Sequence, residues 1–170
     1  MNNKEGLDCF PTKCTADKAI NLVMLECGLK SHAIIYSILK KIYGEHGYYC
    51  EWNKDMALLI SLETFDRSNK AINRAMEIVN CCAKHGVFSL EQLKQNKILT
   101  SKEIQENFFL ATKRRTSVKV KQDYLLVSAD LLPDNVIILD KNIINIEAAE
   151  QQRKRGLNNE RIKGHYGYKN

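Results

Sequence analysis

The sequence predicts a mainly α-helical protein with a small β-sheet, built as a winged helix-turn-helix with flanking helices. Three observations predict it. Amphipathic segments with apolar residues at helical spacing recur along the first 115 residues, and Ser, Thr or Asn stands before most of them. Short aromatic or aliphatic runs interrupt them at 48–52, 87–88 and 98–99. The resulting order after the first helix is helix, strand, helix, helix, hairpin, which is the order of a winged helix-turn-helix.

Thr15 is placed to cap a first helix over about 16–27, with Ala19, Leu22 and Val23 on its apolar side and Gly28 as its stop. Ser31 is placed to cap a second through about Tyr43, where Ile34, Ile35, Ile38, Leu39 and Ile42 form the apolar stripe. The segment Tyr48–Trp52 reads as a strand that closes a sheet with the 86–100 hairpin. Asn53 opens a third helix, over about 54–62. The short turn Glu63–Arg67 leads to a fourth, capped by Ser68 and running to His85 with Ala71, Ile72, Ala75, Ile78, Val79 and Cys82 inward. Ser89 with Gln92, and Thr100 with Glu103, read as two capping boxes. The second opens a helix to about Arg115. Beyond it, the YLLV run at 124–127 and the NVIILD run at 135–140 read as strands or packing segments.

This divides the chain into an N-terminal arm (1–14), a winged-helix domain (15–127), an appended packing segment (128–150) and a basic tail (151–170). The tail is poor in hydrophobes and is expected to be mobile without a partner.

The 170 residues carry a net charge of +6 and a pI near 9.0, a balance that permits nucleic-acid binding without demanding it. The excess is uneven. Residues 1–100 hold 13 basic and 11 acidic side chains, residues 101–170 hold 13 and 9. Lys113, Arg114, Arg115, Lys119 and Lys121 fall within nine residues at a helix exit. A helix macrodipole favours one or two cations there, not five, so a phosphate-facing surface is weighed against a solvated helix end. Lys119 and Lys121 alternate with Val118 and Val120 and so share one side of an extended segment. On the fourth helix, Arg67, Asn69, Lys70, Asn73 and Arg74 lie away from the apolar face, as in a recognition helix, although Asp66 and Glu77 dilute the charge. In the tail, Tyr166 and Tyr168 sit among Lys163, His165 and Lys169, a pattern suited to stacking on single-stranded bases, with Arg153, Lys154 and Arg155 as further nucleic-acid candidates, although a disordered solubilising end weighs more.

No glycine-rich phosphate loop and no local nucleophile motif occurs, so the expectation is a non-enzyme without cofactors. The six cysteines are expected to be reduced, without a structural metal. A composite site of Cys9, Cys14, Cys82 and His85 is the weaker alternative. No apolar run is long enough to span a bilayer and no signal-like h-region opens the chain, which points to a cytoplasmic protein.

The segments GLDCFP at 6–11, ECGLKSHAIIYSILKKIYGEHGYYCEW at 26–52 and ILTSKEIQENFFLATKRR at 98–115 resemble the N-terminal domain of DnaD-like replication proteins of phages, prophages and mobile elements. The resemblance covers roughly residues 6–127, and Cys9 departs from the family's usual opening. It implies a winged-helix fold, a role in replication initiation and frequent self-association, hence DNA, a replicative helicase or its loader, and a second copy as partners. A transcriptional regulator and a module that binds a host protein are the alternatives.

Overall fold

A computed structural model describes residues 5–10, 17–64 and 68–140. The elements are α1 (Lys18–Cys27), α2 (Lys30–Glu45), β1 (Cys50–Glu51), α3 (Lys54–Thr64), α4 (Asn69–Lys84), α5 (Leu90–Gln95), β2 (Ile98–Leu99), α6 (Lys102–Thr112), β3 (Val118–Lys121) and β4 (Val136–Leu139). Two 3-10 turns, Gln122–Tyr124 and Ala129–Leu131, lie between the last two strands. The fold is mainly helical with small sheets, as expected.

The core forms where the helical stripes meet. Ile34, Ile35, Ile38 and Ile42 of α2 are buried against Ala57 and Ile60 of α3 and Ala75, Ile78 and Val79 of α4. α1 contributes Val23 and lies against α2 and α4. Burying an aliphatic side chain of this size stabilises by about 1.5–3 kcal/mol.

The local signals hold where the capping side chain is free to turn back on its own helix. Asn53 Oδ1 accepts from the Met56 amide at 2.8 Å, and Ser68 Oγ from the Ala71 amide at 3.2 Å. They fail where the hydroxyl has a better partner. Thr100 spends its hydroxyl on the Tyr48 carbonyl at 2.6 Å, so Ser101 caps α6 instead. Ser31 is buried and donates to the Gly28 carbonyl at 2.7 Å, so α2 begins at Lys30 with no side-chain cap. Thr15 lies outside the described residues, and Asp17 caps α1. Ser89 caps α5, but the Gln92 side chain reaches the Asp123 carbonyl rather than closing the box.

β1 pairs antiparallel with β2 in the register Cys50↔Leu99 and Glu51↔Ile98. The expected partner of the hairpin, Val87–Phe88, is not a strand. It joins only through the Ser89 amide, which donates to the Thr100 carbonyl at 2.8 Å, and α5 fills the space between. The 135–140 run does form a strand. β4 lies parallel to β3, with Val118 opposite Val136 and Lys121 opposite Leu139. The YLLV run is not a strand: Tyr124 and Leu125 pack on the core and Val127 is buried.

Candidate functional site

The cationic run at 113–121 is organised by the end of α6. That helix stops at Thr112, earlier than the spacing predicts, and its buried face runs Ile104, Phe108 and Thr112 while Ala111 is exposed. The Thr112 hydroxyl donates to the Phe108 carbonyl at 2.8 Å. Asn135, just before β4, donates to the carbonyls of Thr112 at 3.0 Å and Arg115 at 2.9 Å. One amide thus satisfies two carbonyls left open at the helix exit and fixes the turn that carries Lys113, Arg114 and Arg115.

Arg115 folds back over the helix end. Its guanidinium donates to the carbonyls of Glu5 at 2.8 Å and Gly6 at 2.6 Å. The same arm is tied to α2. The Leu7 amide donates to the Tyr43 carbonyl at 2.6 Å, and the Phe10 ring stacks on Tyr43 at 4.8 Å. Gly6 lies so close to the Gly44 carbonyl that a Cβ would collide with it.

β3 then alternates as its sequence predicts, with Val118 and Val120 buried and Lys119 exposed. The Lys121 amide donates to the Tyr48 hydroxyl at 3.0 Å, and its ammonium lies over the rings of Tyr124 at 4.9 Å and Tyr49 at 5.3 Å. Both are cation–π distances. The His46 ring stacks flat on Tyr49 at 4.5 Å and meets the Glu5 carboxylate at 2.9 Å. Burial raises the Tyr48 and Tyr49 phenols well above their ordinary value, so both stay neutral donors or acceptors at physiological pH.

These groups line one open cleft of about 670 Å³. Its walls hold Arg114, Arg115, Lys119 and Lys121, the rings of His46, Tyr48 and Tyr49, and a single acid, Glu5. Lys113 is exposed at its edge in sequence. Four of the five cations read from the sequence are therefore gathered in one place. His46, Tyr49, Glu5 and Asn135 were missed, since each reaches the site through a long-range contact with no local spacing.

None of the described α4 candidates lines this cleft. Asn69, Lys70 and Asn73 are exposed, while Arg74 pairs with Glu77 at 3.1 Å and donates to the Cys27 carbonyl at 2.6 Å. Among the described residues, no hydrogen bond joins this set to the cleft. Arg67, Arg153, Lys154, Arg155, Tyr166 and Tyr168 lie outside the described residues. So does Cys14 of the composite metal alternative. In that set Cys9 is exposed, Cys82 is fully buried, and the His85 ring meets Glu26. The described cysteines are free thiols. No helix of the described residues is long and apolar enough to cross a membrane.

Fold and site together define a class: a basic, mainly helical domain with an aromatic-lined cationic cleft. Residues 10–104, more than half of the chain, match the model of the Lin1244/Lin1753-like, N-terminal family, and the chain belongs to that family. It is 31% identical over 157 residues to the uncharacterized phage-related protein Lin1244/Lin1753 of Listeria innocua, a match that covers 89% of this chain and 50% of that protein. The chain thus corresponds to about half the length of this relative, and the phage association expected from sequence is met. No solved structure matches it.

Proposed function

We propose that this chain is a DNA-binding replication protein of a phage or mobile element, a non-catalytic platform that holds nucleic acid and recruits replication machinery. The carrying observation is the cleft itself, where Arg114, Lys119 and Lys121 converge beside the stacked rings of His46 and Tyr49. Phosphate contacts supply most non-specific affinity for DNA, and aromatic faces accept bases of any sequence. The cleft's cations suit the first role, and the partly exposed His46 ring, stacked on the buried Tyr49, suits the second.

The order α2, β1, α3, α4, β2 and the pairing of β1 with β2 support a winged helix, with α5 standing where the wing would be. On that reading α4 is the recognition helix, and Asn69, Lys70 and Asn73 are its exposed polar set. The resemblance to DnaD-like proteins supports replication as the setting, with a helicase or its loader as the partner and a cytoplasmic location. The test is a DNA titration across a salt series, with cleft and α4 variants in parallel. Cleft changes should weaken all sequences alike, while Asn73→Ala should alter sequence preference.

One observation favours a protein-docking role as a second reading. Leu25 and Leu29, on either side of Gly28, are 83% and 78% exposed at the corner between α1 and α2. A variant with both changed to Ser that still binds DNA but no longer captures a replication or host protein would assign that corner to docking.

A further inference from the structure

A second cluster of chemistry lies where the last turn of α1 meets the C-terminal part of α4. Cys81 and His85 are four residues apart, so one face of α4 presents both. Gly28, at a left-handed φ of 82°, ends α1 directly after Glu26 and Cys27. Arg74 holds that end on α4 through the Cys27 carbonyl. As a result, a Glu26 carboxylate oxygen, the Cys81 sulfur and a His85 ring nitrogen all lie within 4.8 Å of one another. Cys27, next to Glu26 in the last turn of α1, lies near Cys81 and is the candidate fourth donor.

We propose that Cys27, Cys81, His85 and Glu26 form a binding site for zinc or a similar transition-metal dication that staples α1 to α4. Two thiolates, an imidazole and a carboxylate are the donor types such ions select. Tetrahedral zinc, with bonds of about 2.0–2.3 Å, sets ligand atoms roughly 3.3–3.8 Å apart. The Glu26, Cys81 and His85 donor atoms, all within 4.8 Å of one another, lie within about 1.5 Å of that spacing.

The charges also close. Two thiols lose their protons to solvent, and the resulting thiolates balance the dication. His85 coordinates as neutral imidazole, and nothing is oxidised. The Glu26 carboxylate keeps Lys84, whose ammonium lies 2.9 Å from both of its oxygens. Two helices well separated in sequence share these ligands, which is why no local cysteine spacing announces them. The site is independent of the DNA reading, since none of its residues lines the basic cleft.

The test is titration of reduced, chelator-treated full-length protein with Co²⁺, followed by displacement with Zn²⁺. The expected result is one equivalent of cobalt with thiolate charge-transfer and tetrahedral ligand-field absorption, displaced by zinc with a rise in melting temperature. His85→Gln should weaken zinc at least about 100-fold, beyond the loss expected for a merely supporting hydrogen bond. Cys27→Ser should remove a large part of the charge-transfer intensity, and Cys9→Ser should change neither. No retained cobalt, or a weak octahedral spectrum in the unmodified protein, would overturn the proposal. So would affinity unaltered in both His85→Gln and Cys27→Ser, which would leave only the inter-helix ion pair of Glu26 with Lys84 and His85.

Discussion

The Arg115 guanidinium grips the backbone carbonyls of Glu5 and Gly6, joining positions about 110 residues apart. The last of the three consecutive cations at 113–115 therefore also fastens the N-terminal arm, which is tied to α2. Replacing it with Ala should free residues 5–10 and cost about 1–3 kcal/mol, the range for hydrogen bonds to a charged donor. Hydrogen exchange at Leu7, whose amide is bonded to Tyr43, reads the loss directly. Gly6→Ala, which collides with the Gly44 carbonyl, should produce the same exposure, and the two changes should be far from additive. Arg114→Gln should leave stability within about 0.5 kcal/mol.

Gln105 is 0% exposed and fully satisfied. Its amide donates to Thr100 Oγ1 at 3.1 Å and the Tyr124 carbonyl at 2.7 Å. Its carbonyl accepts from the amides of Leu126 at 2.8 Å and Val127 at 3.3 Å. It is the polar clasp between α6 and the segment after β3. Gln105→Leu keeps the volume but orphans several backbone groups, each worth about 1–3 kcal/mol when buried. Thermal melting should drop sharply, and more than for Gln95→Leu on the exposed face of α5.

Glu5 is the only acid among the cleft's lining residues. Glu5→Gln should tighten DNA binding by about 1.5- to 5-fold, the range of an exposed ion pair, with little change in stability. Fluorescence anisotropy at fixed salt checks it. Weaker binding in this variant would mean that the carboxylate orders the arm in a way DNA needs.

Burial raises the phenols of Tyr43, Tyr48 and Tyr49 above the ordinary value of 10.0. The neutral form is the one the fold favours. Their contribution is therefore fully present below pH 10.0 and is lost as pH rises from there toward the folded values. The buried Cys50 thiol, pushed up from 9.0 to about 12, adds to the same trend, so melting temperature should be flat from neutral pH to about 8.5 and fall beyond it, with phenolate absorbance appearing together with unfolding. Tyr48→Phe, which gives up the bond to the Lys121 amide, should be less stable at neutral pH and less sensitive to alkali.

Much of the helical layout is legible locally. The isoleucines of α2 and the capping residues Asn53 and Ser68 each act within one or two turns, so periodicity and residue type suffice. Thr100 misleads because its buried hydroxyl takes the distant Tyr48 carbonyl, and Ser31 because its buried hydroxyl turns back to the Gly28 carbonyl of the preceding turn. Val87–Phe88 reads as a strand because it is apolar, yet only its flank reaches β2. In the site, the charge cluster itself is visible as composition. Its geometry is not, because Asn135, His46 and the arm reach it across tens of residues. The Cys81, His85 and Glu26 grouping is hidden for the same reason, since its ligands lie on two separate helices.

Whether the cleft holds nucleic-acid phosphates is decided by DNA affinity measured across a salt series for the unmodified chain and for Arg114→Gln/Lys119→Gln. The expected result is a linear fall of log affinity with log salt, and a variant whose slope is shallower by about one for each phosphate it no longer neutralises, with weakening uniform across sequences. Affinity independent of salt, or a variant that binds with unchanged slope and strength, would contradict it.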